Sequence, residues 1–212
     1  MASSIRAFWR QLAGTVHPAD EPVFAAHPGH SFNLDFPPPA FIGDIDRAPI
    51  IVLMSNGGYR SGVTEAEFPD ANSINEYRDW LRGKIKSMPS HLSKYYTWQA
   101  LGDWIAAGQA VLVNAVAYRS PNLSQEPANQ AVARELPSLA AHRRWLFQEA
   151  LPQAAAGKRF ILVHRNRWWA VPREWAGSCV LFSDPARAEP NRRTPDLEKL
   201  KKAQRWLERM KA

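Results

Sequence analysis

Four clusters of polar residues trail apolar runs in this chain, and their types define the chemistry open to it. Ser55-Asn56-Gly57-Gly58-Tyr59 follows the first run. Two adjacent glycines let backbone N–H groups approach a ligand, and they set the Asn56 carboxamide at the mouth of a sheet. Asn-Gly equally marks an ordinary turn. Asn114 interrupts Val111-Leu112-Val113-Asn114-Ala115-Val116. A buried carboxamide costs about 1–3 kcal/mol unless its hydrogen bonds are met. Its acceptor and two donors complement an edge such as N3–H and O4 of uracil, where cytosine has the opposite polarity. A tie to neighbouring backbone would satisfy it as well. His164-Arg165-Asn166-Arg167-Trp168-Trp169 interleaves cations with aromatics, which suits a phosphate backbone with unstacked bases; paired tryptophans are also a mark of core packing. The fourth cluster is Ser183-Asp184-Pro185-Ala186-Arg187.

The elements that must position these clusters are short. Pro49 to Met54, Ala110 to Val116, Arg159 to Val163 and Ser178 to Phe182 are apolar, rich in branched residues, and each suits a strand buried on both faces. Helical segments alternate with them. Ser73 to Lys86 reads as a helix with Ser73 as N-cap and Glu76 completing a capping box. Trp98 to Ala107 reads as a second, stopped at Gly108. Leu139 to Ala150 is a third, and Pro195 to Met210 a fourth with Thr194 as N-cap. This alternation predicts a three-layer α/β/α protein with a four-stranded parallel sheet, whose ligand sits beyond the carboxyl ends of the strands. Residues 1 to 48 differ: one amphipathic helix (Ile5 to Leu12) precedes a polar stretch with Pro37 to Pro39. They read as an arm wrapping the core and reaching the first strand through Phe41, Ile42 and Gly43, or as ordinary packing.

Composition narrows the class. At 212 residues and 45% hydrophobic content the chain is expected to form one domain, residues 1 to 212. Cys179 is the single cysteine, and six scattered histidines offer no zinc or iron–sulfur spacing. The expectation is a reduced, cytoplasmic protein without cofactor or metal. No apolar run reaches the roughly 20 residues that span a bilayer, and the N-terminus lacks a signal-peptide core, so no membrane association is expected. Charge is unevenly spread: residues 1 to 140 hold 11 Lys/Arg against 13 Asp/Glu, residues 141 to 212 hold 16 against 7. A basic face that meets a polyanion would show this asymmetry, as would solubility charge on a last helix.

Taken in order, the four clusters resemble the uracil-DNA glycosylase superfamily. Its members carry a water-activating motif after the first strand, written GQDPYH in the best-known enzymes and GMNPG in the single-strand-selective and mismatch-specific ones. Ser55-Asn56-Gly57-Gly58 matches the second form at the Asn and the last Gly. A base-reading asparagine stands in a strand written LLLNAVLTV, to which Leu112-Val113-Asn114-Ala115-Val116 is similar. The final motif, HPS, falls at Ser183-Asp184-Pro185-Ala186-Arg187. The resemblance covers about residues 40 to 195, and the asparagine strand is its most specific part.

The resemblance implies a DNA glycosylase that hydrolyses the N-glycosidic bond of a deaminated or damaged base, on single-stranded DNA or on duplex with the base extruded. Asn56 would hold the attacking water, Asn114 would read the base edge, and Phe68 or Tyr59 would stack on the base. Arg165, Arg167 and Arg187 would grip the DNA. Three departures bear on this. The motif proline is Gly57, which loosens the loop. The histidine that donates to uracil O2 is replaced by Asp184, and an ionised aspartate cannot donate, which leaves His164 as the alternative donor. Gly58 stands where the best-known members place a tyrosine wall against the thymine methyl. Two other readings remain open: a binding module of the same fold that recognises a modified or flipped base without cutting it, and an unrelated flavodoxin-like or nucleotide-binding domain. Against the last, no GxGxxG or Walker pattern is present.

Overall fold

The computed structural model describes residues 2–90, 99–183 and 196–211. It is a mixed α/β protein. The strands are β1 (Phe41–Gly43), β2 (Ile50–Gly58), β3 (Ala110–Ser120), β4 (Phe160–Val163) and β5 (Val180–Phe182), hydrogen-bonded in the order β1-β3-β2-β4-β5. Pairing of β2 with β4 and of β4 with β5 is parallel, with Ile50 opposite Phe160 and Ile161 opposite Val180. β3 runs beside β2 in the same sense: Ile50 donates to the Gln109 carbonyl at one end and Tyr59 to that of Ser120 at the other.

The four apolar runs are thus strands, but the sheet has five. β1 runs antiparallel to β3, since the Asn114 N–H donates to the Ala40 carbonyl while Gly43 lies against Ala110. Three residues behind a run of prolines carry too little periodicity to signal a strand. Gly43 is required there: its φ is 108°, and a Cβ would stand 2.5 Å from the Ala110 carbonyl oxygen. Gly43→Ala is expected to lower the unfolding free energy by about 2–4 kcal/mol, from backbone strain plus the clash. Urea denaturation measures this, and a loss below about 1 kcal/mol would contradict the close approach.

Helices follow local chemistry. They are α1 (Ser4–Trp9), α2 (Glu21–Ala26), α3 (Val63–Glu67), α4 (Ala71–Leu81), α5 (Gln99–Ala106), α6 (Pro127–Glu135), α7 (Pro137–Trp145), α8 (Leu151–Ala155) and α9 (Asp196–Lys211). The N-cap of α4 is Asp70, whose carboxylate accepts from the Ser73 N–H at 2.8 Å, so Ser73 is the partner in the capping box and not its cap. The helix stops at Leu81 because Gly83 takes φ 77° and donates back to the Trp80 carbonyl. Gly108 closes α5 similarly, at φ 68°. Between α7 and α8 the chain makes a π-helical turn, Leu146–Ala150. Pro152 lacks the N–H that a continuous α-helix would require, and the wider turn accommodates it. The N-cap expected at Thr194 lies outside the described residues.

Contacts gather the chain into two compact units. The first comprises Met1–Phe41, Asn56–Ser93 and Asn114–Trp145. Its core includes Ile5, Trp9, Leu12, Phe24 and Phe32 from the N-terminal arm, with Tyr77, Trp80, Tyr118, Leu139 and Trp145, all buried. The arm is therefore part of that core. The second unit comprises Ile42–Ser55, Lys94–Val113 and Leu146–Ala212. Ile50 to Leu53, Phe160 to Val163 and Trp169 are buried in it, and Trp206 of α9 meets Phe160 with ring centroids 5.7 Å apart. Among the described residues no helix is long and apolar enough to cross a membrane.

Candidate functional site at the carboxyl ends of β2 and β3

In the first unit, β2 carries Asn56, Gly57 and Gly58 as strand residues, not as a loop beyond it. The half-buried Asn56 amide donates to the Gly57 carbonyl at 2.8 Å and to the Ser120 Oγ at 3.0 Å. A carbonyl can only accept, so the nitrogen of the carboxamide must face it and Oδ1 faces the other way. Among the described residues Oδ1 has no partner. Gly58, two residues on along the strand, is exposed, and a Cβ built there meets nothing within 4 Å. Tyr59 follows, its N–H bonded to the Ser120 carbonyl and its hydroxyl donating to Glu65 Oε1 at 2.9 Å. Glu65 also accepts from the Gly62 N–H. The bond to Glu65 raises the Tyr59 phenol above its ordinary range, and the Glu65 backbone N–H and Tyr59 hydroxyl hold the carboxyl below its own.

Behind these groups lies a buried ion pair that the sequence reading passed over. Arg119 Nη2 and Glu67 Oε2 are 2.8 Å apart, with side chains 2% and 3% exposed. The Arg119 guanidinium stands 5.7 Å over the Phe68 ring, and Phe68 stacks on Phe36 at 5.2 Å with an edge contact to Tyr77. The signal was present: the polar pair Arg119-Ser120 ends an apolar run, and a buried guanidinium demands a counter-charge.

The other expected groups of this unit are less open. Asn114 lies within β3, is 1% exposed, and donates through Nδ2 to the Pro39 carbonyl at 2.6 Å. Its tie is to neighbouring backbone, the alternative weighed against base reading. Phe68, 5% exposed between Phe36 and Tyr77, presents no free stacking face. Tyr59 is half-exposed and adjoins Asn56.

The second unit holds His164, Arg165 and Arg167. His164 directly follows β4, is 1% exposed, and its N–H and that of Arg165 both donate to the Leu53 carbonyl. Trp168 and Trp169 are buried, and the Trp169 indole donates to the Met54 carbonyl at 2.7 Å. Both tryptophans serve the interior, so base stacking by this pair is not what the fold provides. Asn166 shapes the loop through reciprocal bonds with the Val171 N–H and carbonyl, at 2.8 and 2.9 Å. That leaves Arg165 half-buried and Arg167 exposed, the latter 5.6 Å over the Trp168 ring. Asp184 and Arg187 lie outside the described residues. Asn56 and His164 belong to different units.

Among the described residues no group of three or more His, Cys, Asp or Glu could hold a metal ion. Compared with protein-family models, curated proteins and solved structures, the chain matches none.

Proposed function

We propose that this protein is a DNA glycosylase of the uracil-DNA glycosylase type, a three-layer α/β/α domain that hydrolyses the bond between a deaminated base and its sugar. The observation that carries the reading is the Asn56 carboxamide: both its hydrogens are engaged, so Oδ1 is fixed, two residues before the exposed Gly58. In hydrolysis the C1′–N bond breaks, the base departs with the bonding pair, and a water oxygen bonds to C1′ and gives its proton to solvent. A fixed acceptor that orients that water does most as the sugar becomes cationic. A neutral carboxamide is a weak base, so modest rates are expected.

Gly57 and Asp184, in place of the motif proline and the final histidine, favour a second reading, the binding module that recognises a base without cutting it. Single-turnover cleavage of single strands containing uracil, hypoxanthine or xanthine, with fluorescence anisotropy for binding, separates the two. Cleavage of any of them sustains the glycosylase. Binding without cleavage of all three replaces it with the module.

Contact with DNA rests on cations of the basic C-terminal third. If Arg165 and Arg167 each meet a phosphate, replacing both by alanine is expected to reduce the slope of log K against log salt by about 1.5–2. An unchanged slope would remove this loop from the DNA interface.

A further inference from the structure

The segment preceding β1 is fastened to β3 and α7 through the His142 imidazole, and a second imidazole, His17, braces the segment from within. His142, on α7, is 0% exposed; its Nε2 lies 2.8 Å from the Trp9 indole nitrogen and its Nδ1 2.8 Å from the Asn114 carbonyl oxygen. An indole only donates and a carbonyl only accepts, so Nε2 is bare and Nδ1 carries the proton. His17 is fixed in the opposite tautomer. Its Nδ1 accepts from the Ala19 N–H at 3.1 Å, its Nε2 donates to the Phe8 carbonyl at 3.0 Å, and its ring stacks on Phe8 at 3.8 Å. A second proton on His142 would set one N–H against another across 2.8 Å.

Charged groups meet the segment from several elements, and farther along it His27 Nε2 lies 3.2 Å from Glu135 Oε2 of α6. From α1 comes Arg6, which points away to the carbonyls of Trp80 and Leu81. The loop after it supplies His17 and Asp20, and α2 supplies Glu21; β3 supplies Tyr118; α7 itself carries Arg143 and Arg144. Asp20 is 0% exposed and already accepts from the Tyr118 hydroxyl at 2.7 Å and the Ser138 N–H at 2.9 Å. The Tyr118 oxygen in turn accepts from the His17 N–H at 3.0 Å. The same segment lays Asn33 on the Arg119 carbonyl and Phe36 on Phe68, at the end of β3 beside Ser120.

We propose that residues 2–39 form an acid-released strap, latched by the Trp9–His142 hydrogen bond, whose opening uncovers the end of β3. The direction follows from burial, which lowers the His142 imidazole from 6.5 to about 4 and also lowers His17. With the strap open these rings face water and titrate near their ordinary value. The open form therefore binds protons between about pH 6.5 and 4 that the closed form refuses, and closure, complete above that window, weakens as pH falls through it. Asp20 acts in the opposite sense, because burial raises its carboxyl. His142 sets the direction: Asp20 and Glu21 would offset a charge on His17, whereas burial is the leading influence on His142.

Backbone hydrogen exchange of the full chain, corrected for intrinsic rates, tests this. Residues 4–26 are expected to lose roughly 10- to 100-fold in protection between pH 7.5 and 4.5 while β2 and β4 keep theirs. His142→Gln, uncharged at every pH yet able to accept from Trp9, is expected to flatten that dependence. Equal pH dependence in the variant, or arm and strands losing protection together, overturns the strap. Should the variant fail to fold, the wild-type His142 resonance decides. Titration of the ring in step with arm exchange supports the latch, and titration above pH 6 with the arm still protected overturns it.

Discussion

Glu67→Ala is expected to lower the unfolding free energy by about 3–5 kcal/mol, the cost of leaving one partner of a buried ion pair behind. Arg119 would keep its charge, since a guanidinium does not release its proton at any pH the fold tolerates. At 2% exposure it has no route to water short of displacing Phe68 and the Asn33 segment. Arg119→Met should cost less, about 1–3 kcal/mol, because a stranded carboxyl can take up a proton. Combining Arg119→Met with Glu67→Leu removes both charges and should recover most of the loss, as buried pairs replaced by apolar residues of similar volume are often neutral or better. A double-mutant cycle closed with the Glu67→Leu and Arg119→Met single variants, followed by urea denaturation, measures the coupling. If Glu67→Ala alone moved stability by less than about 1 kcal/mol, the pair would be solvated and its place behind the site would need another account.

Strands were the readable part of this fold, and the reason is local. Runs such as Ile50 to Met54 and Phe160 to Val163 are buried on both faces, so no tertiary partner was needed to recognise them. β1 escaped because its identity lies in a partner about 70 residues away, through the Ala40–Asn114 bond. The N-cap of α4 was misplaced by three residues because Asp70 and Ser73 are both capping types, and only geometry shows which side chain receives the N–H. Asn114 was singled out correctly as a buried polar group that needs partners. Which partner it has, the Pro39 carbonyl, depends on the path of the arm, and periodicity carries no information about that. The tryptophans illustrate the same limit: residue type could not choose between core and ligand, and the indole bond to Met54 does. Ser120 and Glu67 were overlooked because each acts through a neighbour distant in sequence, Asn56 and Arg119.

Asn56→Ala is expected to slow single-turnover cleavage by about 10²- to 10⁴-fold while DNA affinity stays within about 2-fold, since the carboxamide acts mainly as the sugar becomes cationic. Asn56→Asp separates base strength from position. A carboxylate is the stronger base, but it has no hydrogen to give the Gly57 carbonyl 2.8 Å away or the Ser120 Oγ at 3.0 Å, and its oxygen would be repelled by the carbonyl. The aspartate must rotate away, so its rate should fall below that of the wild type. Ser120→Ala probes the same support from the other side: it leaves Asn56 one hydrogen bond short, and a loss of about 3- to 10-fold in the cleavage rate, with affinity unchanged, is the effect of loosening one charge-neutral contact. The order expected is wild type, then Ser120→Ala, then both Asn56 variants. An Asn56→Asp enzyme faster than the wild type would mean that the residue works as a proton acceptor free of the Gly57 and Ser120 bonds. An Asn56→Ala enzyme as fast as the wild type would place the attacking water elsewhere.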